Sequence, residues 1–339
     1  MAPERVTRPQ RLAGMSHVAA ASMGYESSLF LGADGGVWTA GRNPDGQVGV
    51  GFWGAGVSPP VPLASLPPAT AVSAGSTHAL ALLRDGTLRA WGRNDQGSLG
   101  DGSGEPKLAP VVVRGLTGVR AACAGGDVSF ALGEDGALWR WGGPGANPDA
   151  ADPRDDLVPR RVPGTRGFRS VSCNDADRSA LLLHEDTTVW QMGADTPAPL
   201  RVGGLNAVTA IASSDGHSLA LDAAGRVWEW HGFETAPVVV VASGVAAVAA
   251  GSQHAVVRHA DGTVWTWGRN TFGQLCDGTS VDSDRPVRIA HDSAAITAGY
   301  ESTLVIHSDG SASVCGWNQP RLGVSLAGSH TPLAVTLGP

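Results

Sequence analysis

One eight-residue segment returns seven times along the chain, and no other feature restricts the fold as much. Four copies are close: Asp34-Gly-Gly-Val-Trp-Thr-Ala-Gly41, Asp85-Gly-Thr-Leu-Arg-Ala-Trp-Gly92, Asp135-Gly-Ala-Leu-Trp-Arg-Trp-Gly142 and Asp261-Gly-Thr-Val-Trp-Thr-Trp-Gly268. Three are looser: Asp186-Thr-Thr-Val-Trp-Gln-Met-Gly193, Ala224-Gly-Arg-Val-Trp-Glu-Trp-His231 and Asp309-Gly-Ser-Ala-Ser-Val-Cys-Gly316. A period of about 40 to 50 residues marks a propeller or a linear array. An alternating apolar run precedes each copy, as in His78-Ala-Leu-Ala-Leu-Leu83, so Asp-Gly reads as the turn of a hairpin. Upstream lies a short strand ending in small residues, such as Val72-Ser-Ala-Gly75. Downstream come a glycine-rich loop and a proline-led strand, such as Ala109-Pro-Val-Val-Val113.

The unit is therefore a four-stranded antiparallel meander. A single unit cannot bury its own faces, and seven together predict an all-β, seven-bladed β-propeller. The repeats run approximately over 16–68, 69–116, 117–164, 165–205, 206–245, 246–291 and 292–339, as one domain with 1–15 as a closure segment. Arg8-Pro-Gln-Arg-Leu12 looks like a proline-led strand without a repeat of its own, so the N- and C-terminal segments are expected to close the ring. The 47 glycines, 22 prolines and only 16% charged residues agree with short strands and many turns.

Charge and cysteine usage narrow the function classes. A formal net charge of −7, with Arg5, Arg8 and Arg11 as the most basic stretch, gives no footprint for nucleic acid. Cys123, Cys173, Cys276 and Cys315 include no Cys-x-x-Cys pair and are expected to be reduced, behaving as small hydrophobes. Neither a signal-peptide run nor an apolar stretch of membrane-spanning length is seen, so a cytoplasmic protein without membrane association is expected, and a monomer. No phosphate loop, catalytic triad or metal-ligand spacing is recognisable, so neither a cofactor nor a metal is expected.

The loops Trp91-Gly-Arg-Asn-Asp-Gln-Gly-Ser-Leu-Gly-Asp-Gly102 and Trp267-Gly-Arg-Asn-Thr-Phe-Gly-Gln-Leu-Cys-Asp-Gly278, together with Ala250-Gly-Ser-Gln-His254, closely resemble the repeat of the regulator of chromosome condensation family. The resemblance covers nearly the whole chain and implies a stand-alone propeller of the bacterial type. That family includes an exchange factor for the GTPase Ran, a plant ultraviolet-B photoreceptor and bacterial inhibitors of β-lactamase, so the resemblance implies a fold and leaves the activity open. Where the photoreceptor's repeats carry Gly-Trp-Arg-His this chain has Gly-Tyr-Glu-Ser, without the tryptophan and arginine that photoreception would need.

Candidate site residues follow from the topology of a meander. Its first and third connections emerge on one face, and the Asp-Gly turns emerge on the other. Gly24-Tyr25-Glu26-Ser27 and Gly299-Tyr300-Glu301-Ser302 occupy the first connection of the first and last blades and hold the only two tyrosines, so ring closure should make them neighbours. The same connection elsewhere contains Ser76-Thr77-His78, Asp127, Asp177-Arg178, Asp215-Gly216-His217 and Gln253-His254. With small-residue strands lining the axis, Glu26, Asp127, Asp177, Asp215 and Glu301 against Arg178 would form an acidic ring around the central opening, suited to a cationic partner group. On the third connection of the first blade, Phe52 and Trp53 replace the expected Gly-Asp-Gly with two aromatics.

Two functions fit. In the first, a partner protein is bound by Tyr25, Glu26, Phe52, Trp53, Asp177, Arg178, Gln253, Tyr300 and Glu301. In the second, a central pocket binds or converts a small molecule, with Glu26, Glu301, Asp127, Asp215, His78, His217 and His254 as metal-free acid–base candidates. The histidines recur at one repeat position, which also suits turn hydrogen bonding. Trp91, Trp141, Trp230 and Trp267 recur as packing residues should. The fourth and fifth repeats lack the Gly-Arg-Asn loop, so the rim should be low there.

Overall fold

In a computed structural model that describes residues 5–12, 17–143, 156–174, 178–193, 196–232 and 235–317, twenty-eight strands form seven four-stranded antiparallel sheets. Six blades are consecutive meanders; the first comprises β2 (Val18–Met23), β3 (Ser27–Gly32), β4 (Val37–Asn43) and β5 (Gly54–Pro62). The seventh is composite. Its inner strands are β26 (Ser293–Gly299), β27 (Ser302–His307) and β28 (Ala312–Trp317), and its outer strand is β1 (Arg5–Arg11), paired with β28 from Arg5↔Trp317 to Arg11↔Ser313. This pairing closes the ring, and Val6 and Leu12 bury themselves in the cluster that joins the last blade to the first.

The innermost strands are β2, β6 (Ala69–Ala74), β10 (Val119–Ala124), β14 (Phe168–Cys173), β18 (Val208–Ser214), β22 (Val245–Ala250) and β26. Small residues allow them to approach each other around the axis, where they leave a cavity of about 240 Å³ lined by Ser22, Ser73, Ala122, Ser172, Ser213 and Ala250 among others. Serine hydroxyls tie three of these strands to the next: Ser22 Oγ accepts from Ala74 N at 2.9 Å, Ser73 Oγ from Ala124 N at 3.0 Å and Ser172 Oγ from Ser213 N at 3.0 Å. The glycine that opens each Gly-Tyr-Glu-Ser turn belongs to this crowding. A Cβ on Gly24 would sit 2.1 Å from the Gly75 carbonyl oxygen, and one on Gly299 would sit 2.6 Å from the Met23 Cβ.

Apolar clusters fill the spaces between blades. Trp91 and Trp141 are wholly buried there, and Trp230 and Trp267 nearly so, as their recurrence implied. On the far face each Asp-Gly hairpin is held by its aspartate, as when Asp85 Oδ1 accepts from Thr87 N at 2.9 Å. The fifth repeat has alanine at that position, and Asp222 takes over, accepting from Ala224 N and Arg226 N at 2.9 and 3.0 Å.

The expectation of reduced cysteines needs correction. Cys123 pairs with Cys173, and Cys276 with Cys315, each with Cα atoms 5.6 Å apart, and no described cysteine is free. The first pair joins the inner strands of adjacent blades one residue out of step, Cys123 to the neighbour's counterpart of Ala124, and ring geometry sets the two side by side although 50 residues separate them. The absence of a Cys-x-x-Cys pair carries no information on that juxtaposition, because it arises only when neighbouring blades are packed. Among the described residues, no helix is long and apolar enough to cross a membrane.

Candidate functional site

Three full-length loops of the Gly-Arg-Asn type stand on the face that carries the Gly-Tyr-Glu-Ser turns, and each is organised by one buried asparagine. Asn94 Oδ1 accepts from Leu99 N at 2.9 Å, while its Nδ2 donates to the Ser103 and Glu105 carbonyls at 2.7 and 3.1 Å. Asn43 and Asn270 do the same for Val48 N and Leu275 N at 3.1 and 2.9 Å. The loops also support the next blade. Trp91 Nε1 donates to the Gln47 carbonyl and Trp141 Nε1 to the Ser98 carbonyl, both at 2.9 Å.

Ring closure brings the two tyrosines together. Tyr25 and Tyr300 meet edge to face with centroids 4.7 Å apart, and Trp317 lies 6.3 Å from Tyr25 and 5.5 Å from Phe272. The Tyr300 carbonyl accepts from both the Ser252 N and Oγ, at 3.0 and 2.6 Å, which fixes the turn to blade 6. Glu26 joins its turn to the long loop of the same blade: Arg42 Nη1 donates to Oε1 at 2.7 Å and Gln47 Nε2 to Oε2 at 3.5 Å. Glu301 is buried at 7% exposure. At the tip of the long loop Phe52 and Trp53 remain 48% and 58% exposed, large values for such side chains. Trp53 forms one wall of a cleft of about 510 Å³ whose other walls include Pro44, Asp45, Arg93, Asp95 and Pro106.

The ring of carboxylates is less acidic than its composition suggested. Arg178, in a left-handed conformation with φ 55°, pairs with Asp127 at 3.0 Å, and Arg42 offsets Glu26. Asp127 and Arg178 line a polar cavity of about 460 Å³ together with Ser76, Thr77, Arg93 and Asp95. Asp215 adopts φ 45° at its turn, Gln253 is exposed and accepts from Arg269 Nη1 at 3.2 Å, and Asp177 lies outside the described residues. The axial cavity itself is walled by the inner strands and by none of the acid–base candidates.

The recurring histidines link blades. His78 Nε2 lies 2.8 Å from Ser129 Oγ of blade 3, and His254 Nε2 lies 2.9 Å from Thr303 Oγ1 of blade 7. Burial lowers their pKa values to about 4 and about 3, so both rings are neutral at physiological pH. His217 is different. Its Nδ1 lies 3.1 Å from the Gly251 carbonyl oxygen, its Nε2 lies 2.8 Å from Glu229 Oε1, and its ring stacks on His231 at 5.1 Å. Burial opposes ionisation of Glu229, yet the His217 imidazole and the Trp267 N–H hold its carboxyl below the ordinary value.

Glu229 and His231 are residues the sequence reading passed over. The available signal was departure from the repeat: six copies of the segment end in glycine, and the fifth ends in His231. The missing loop supplies a reason. With no Gly-Arg-Asn loop on blade 5 to offer a carbonyl, Glu229 Oε2 accepts the Trp267 indole N–H at 3.1 Å. Blade 4 also lacks the loop, and there the buried Trp230 Nε1 finds no acceptor among the described residues.

Comparison with known proteins agrees with this architecture. A family model described as "Regulator of chromosome condensation (RCC1) repeat" matches residues 34–82, 85–132 and 261–306, and a second with the same description matches 69–98 and 245–274. Blades 4 and 5, which lack the loop, fall outside both. The chain is 32% identical over 232 residues to the human E3 ubiquitin-protein ligase HERC2, and 30% identical over 176 residues to the ultraviolet-B receptor UVR8 of Arabidopsis thaliana. Those stretches are 61% and 47% of this chain but only 5% of HERC2 and 40% of UVR8. Among solved structures, human WBSCR16 superposes with a TM-score of 0.74 at 20% identity, covering 91% of this chain and 88% of that one. Prp20p of Saccharomyces cerevisiae, whose structure was described with its binding to Gsp1p and histones, gives 0.69 at 19% identity, covering 88% and 82%. At such identities the likeness shows the fold alone, and together with the matched repeats it establishes a seven-bladed β-propeller carrying repeats of the regulator of chromosome condensation type.

Proposed function

We propose that this propeller is a protein-interaction platform that grips its partner on the face formed by the Tyr25 and Tyr300 turns and the Phe52–Trp53 loop. One observation carries the reading: two exposed aromatics at a loop tip that Glu26, through Arg42 and Gln47, ties to the paired tyrosines. Rigid aromatics beside charged groups are the usual anchors of a protein interface, since they lose little entropy and exclude water from neighbouring polar contacts. The binding of Gsp1p and histones by Prp20p, a protein of the same fold, is consistent with such a use.

The test compares the wild-type chain with a Phe52→Ser/Trp53→Ser variant in proximity labelling, followed by affinity measurement on the recovered partner. Both side chains are exposed, so thermal stability should change little. Affinity should fall by at least ~10-fold, the loss of about 1.4 kcal/mol or more expected of a hot spot. Equal affinity for both chains would remove the aromatic loop from the interface. A small polar ligand is the second reading, favoured by the 460 Å³ cavity with its two arginines and two aspartates.

A further inference from the structure

We propose that His217, Glu229 and His231 form a binding site for a divalent transition metal of the zinc class, on the loop-bearing face of blade 5. The three residues come from one hairpin, β19 (His217–Asp222) and β20 (Val227–His231), in which His217 and His231 are direct cross-strand partners. Glu229 stands two residues before His231, so the pleat of β20 turns both side chains to the same side.

The donor atoms all lie within 4.8 Å of one another. His217 Nε2 and His231 Nε2 are 2.8 and 3.8 Å from Glu229 Oε1. Zinc with ligands at about 2.0–2.1 Å holds tetrahedral neighbours roughly 3.3 Å apart, a value between those two separations. Two imidazoles and one carboxylate are an ordinary donor set for zinc with an open position. His231, 66% exposed at its side chain, leaves room for water to complete the coordination.

The surrounding hydrogen bonds supply an independent argument. The Gly251 carbonyl oxygen can only accept, so His217 Nδ1 must carry the proton that joins them at 3.1 Å. In the neutral ring Nε2 is then a lone pair, and it faces Glu229 Oε1, which as a carboxylate is also an acceptor. Two lone pairs at 2.8 Å repel unless a cation or a second proton lies between them. A backbone carbonyl that fixes the tautomer of a ligating histidine, and a donor that holds the free oxygen of a ligating carboxylate, are the outer partners metal sites use. Gly251 and Trp267 Nε1 occupy those two places.

If the trio served only to join blades 5 and 6, a proton on Nε2 would suffice and His231 would have no part. The test uses the full chain without a histidine tag, stripped with chelator. Zinc binding is followed by calorimetry, and Co²⁺ in its place is followed by its visible spectrum. The wild type should bind one ion at this site with a tetrahedral cobalt signature. His231→Ala should weaken binding by more than the ~10–100-fold that loss of an outer-shell partner costs. Glu229→Gln supplies an amide that can donate to His217 Nε2 and still accept from Trp267, so it should keep the melting temperature while losing metal. Absence of binding to the wild type with zinc in excess, or wild-type affinity in either variant, would overturn the assignment.

Discussion

At the scale of single residues the histidine that ends the first connection of a repeat serves as a cross-link between neighbouring blades, and its chemistry sets a pH dependence. His78 has a pKa of about 4 in the fold against an ordinary value of 6.5. Between those values the unfolded chain takes up a proton that the folded chain refuses, so stability is present in full above about pH 6.5 and declines as pH falls toward 4. His254, with a pKa of about 3, adds to the same decline and extends it downward. Each group can contribute at most about 1.4 kcal/mol per pH unit. Asp186 and Asp309, held to about 2 chiefly by the side-chain hydroxyls of Thr188 and Ser311, act only below their ordinary value of 3.8. Urea midpoints measured from pH 7.5 to pH 4.5 should therefore fall steadily in the wild type and less steeply in His78→Gln. A flat wild-type profile would contradict the neutral buried imidazoles.

The loop of the Gly-Arg-Asn type is the element on which the candidate face depends. Its asparagine satisfies the N–H of a fully buried leucine, so Asn94→Ala leaves Leu99 N without its partner. Unmade bonds of this kind cost about 1–3 kcal/mol each, and a total loss of about 2–4 kcal/mol is expected in chemical denaturation. The gap between what repeats reveal and what they hide also belongs to this scale. The seven hairpins, the packing tryptophans and the meeting of Tyr25 with Tyr300 were legible, because each follows from a period plus ring closure. The link from His78 to Ser129, the pairing of Cys123 with Cys173 and the group around Glu229 were not. The first two join blades through side chains whose register across the gap is set by strand tilt and spacing, which no pattern within one repeat encodes, and the third left as its signal only His231 in place of the repeat's glycine.

For the whole molecule, seven similar units leave the ring with junctions of unequal reinforcement. The Cys123–Cys173 disulfide spans the junction of blades 3 and 4, next to the first blade without a supporting loop. Replacing Cys123 and Cys173 by serine should cost about 2–4 kcal/mol, visible as a lower melting temperature on which added reductant acts only through the remaining Cys276–Cys315 bond. Wild-type melting that is insensitive to reductant would argue that this link adds nothing. The strand that completes the seventh blade has a further consequence, for synthesis. β1 leaves the ribosome before its partner β28, which follows about 300 residues later. At roughly 5–20 residues per second the early strand waits on the order of 15–60 s without its neighbour. An unpaired strand is a template for wrong partners unless charge or proline guards it. Arg5, Arg8, Pro9 and Arg11 are suited to that interval: the nascent chain carries its own protection until the circle can be joined.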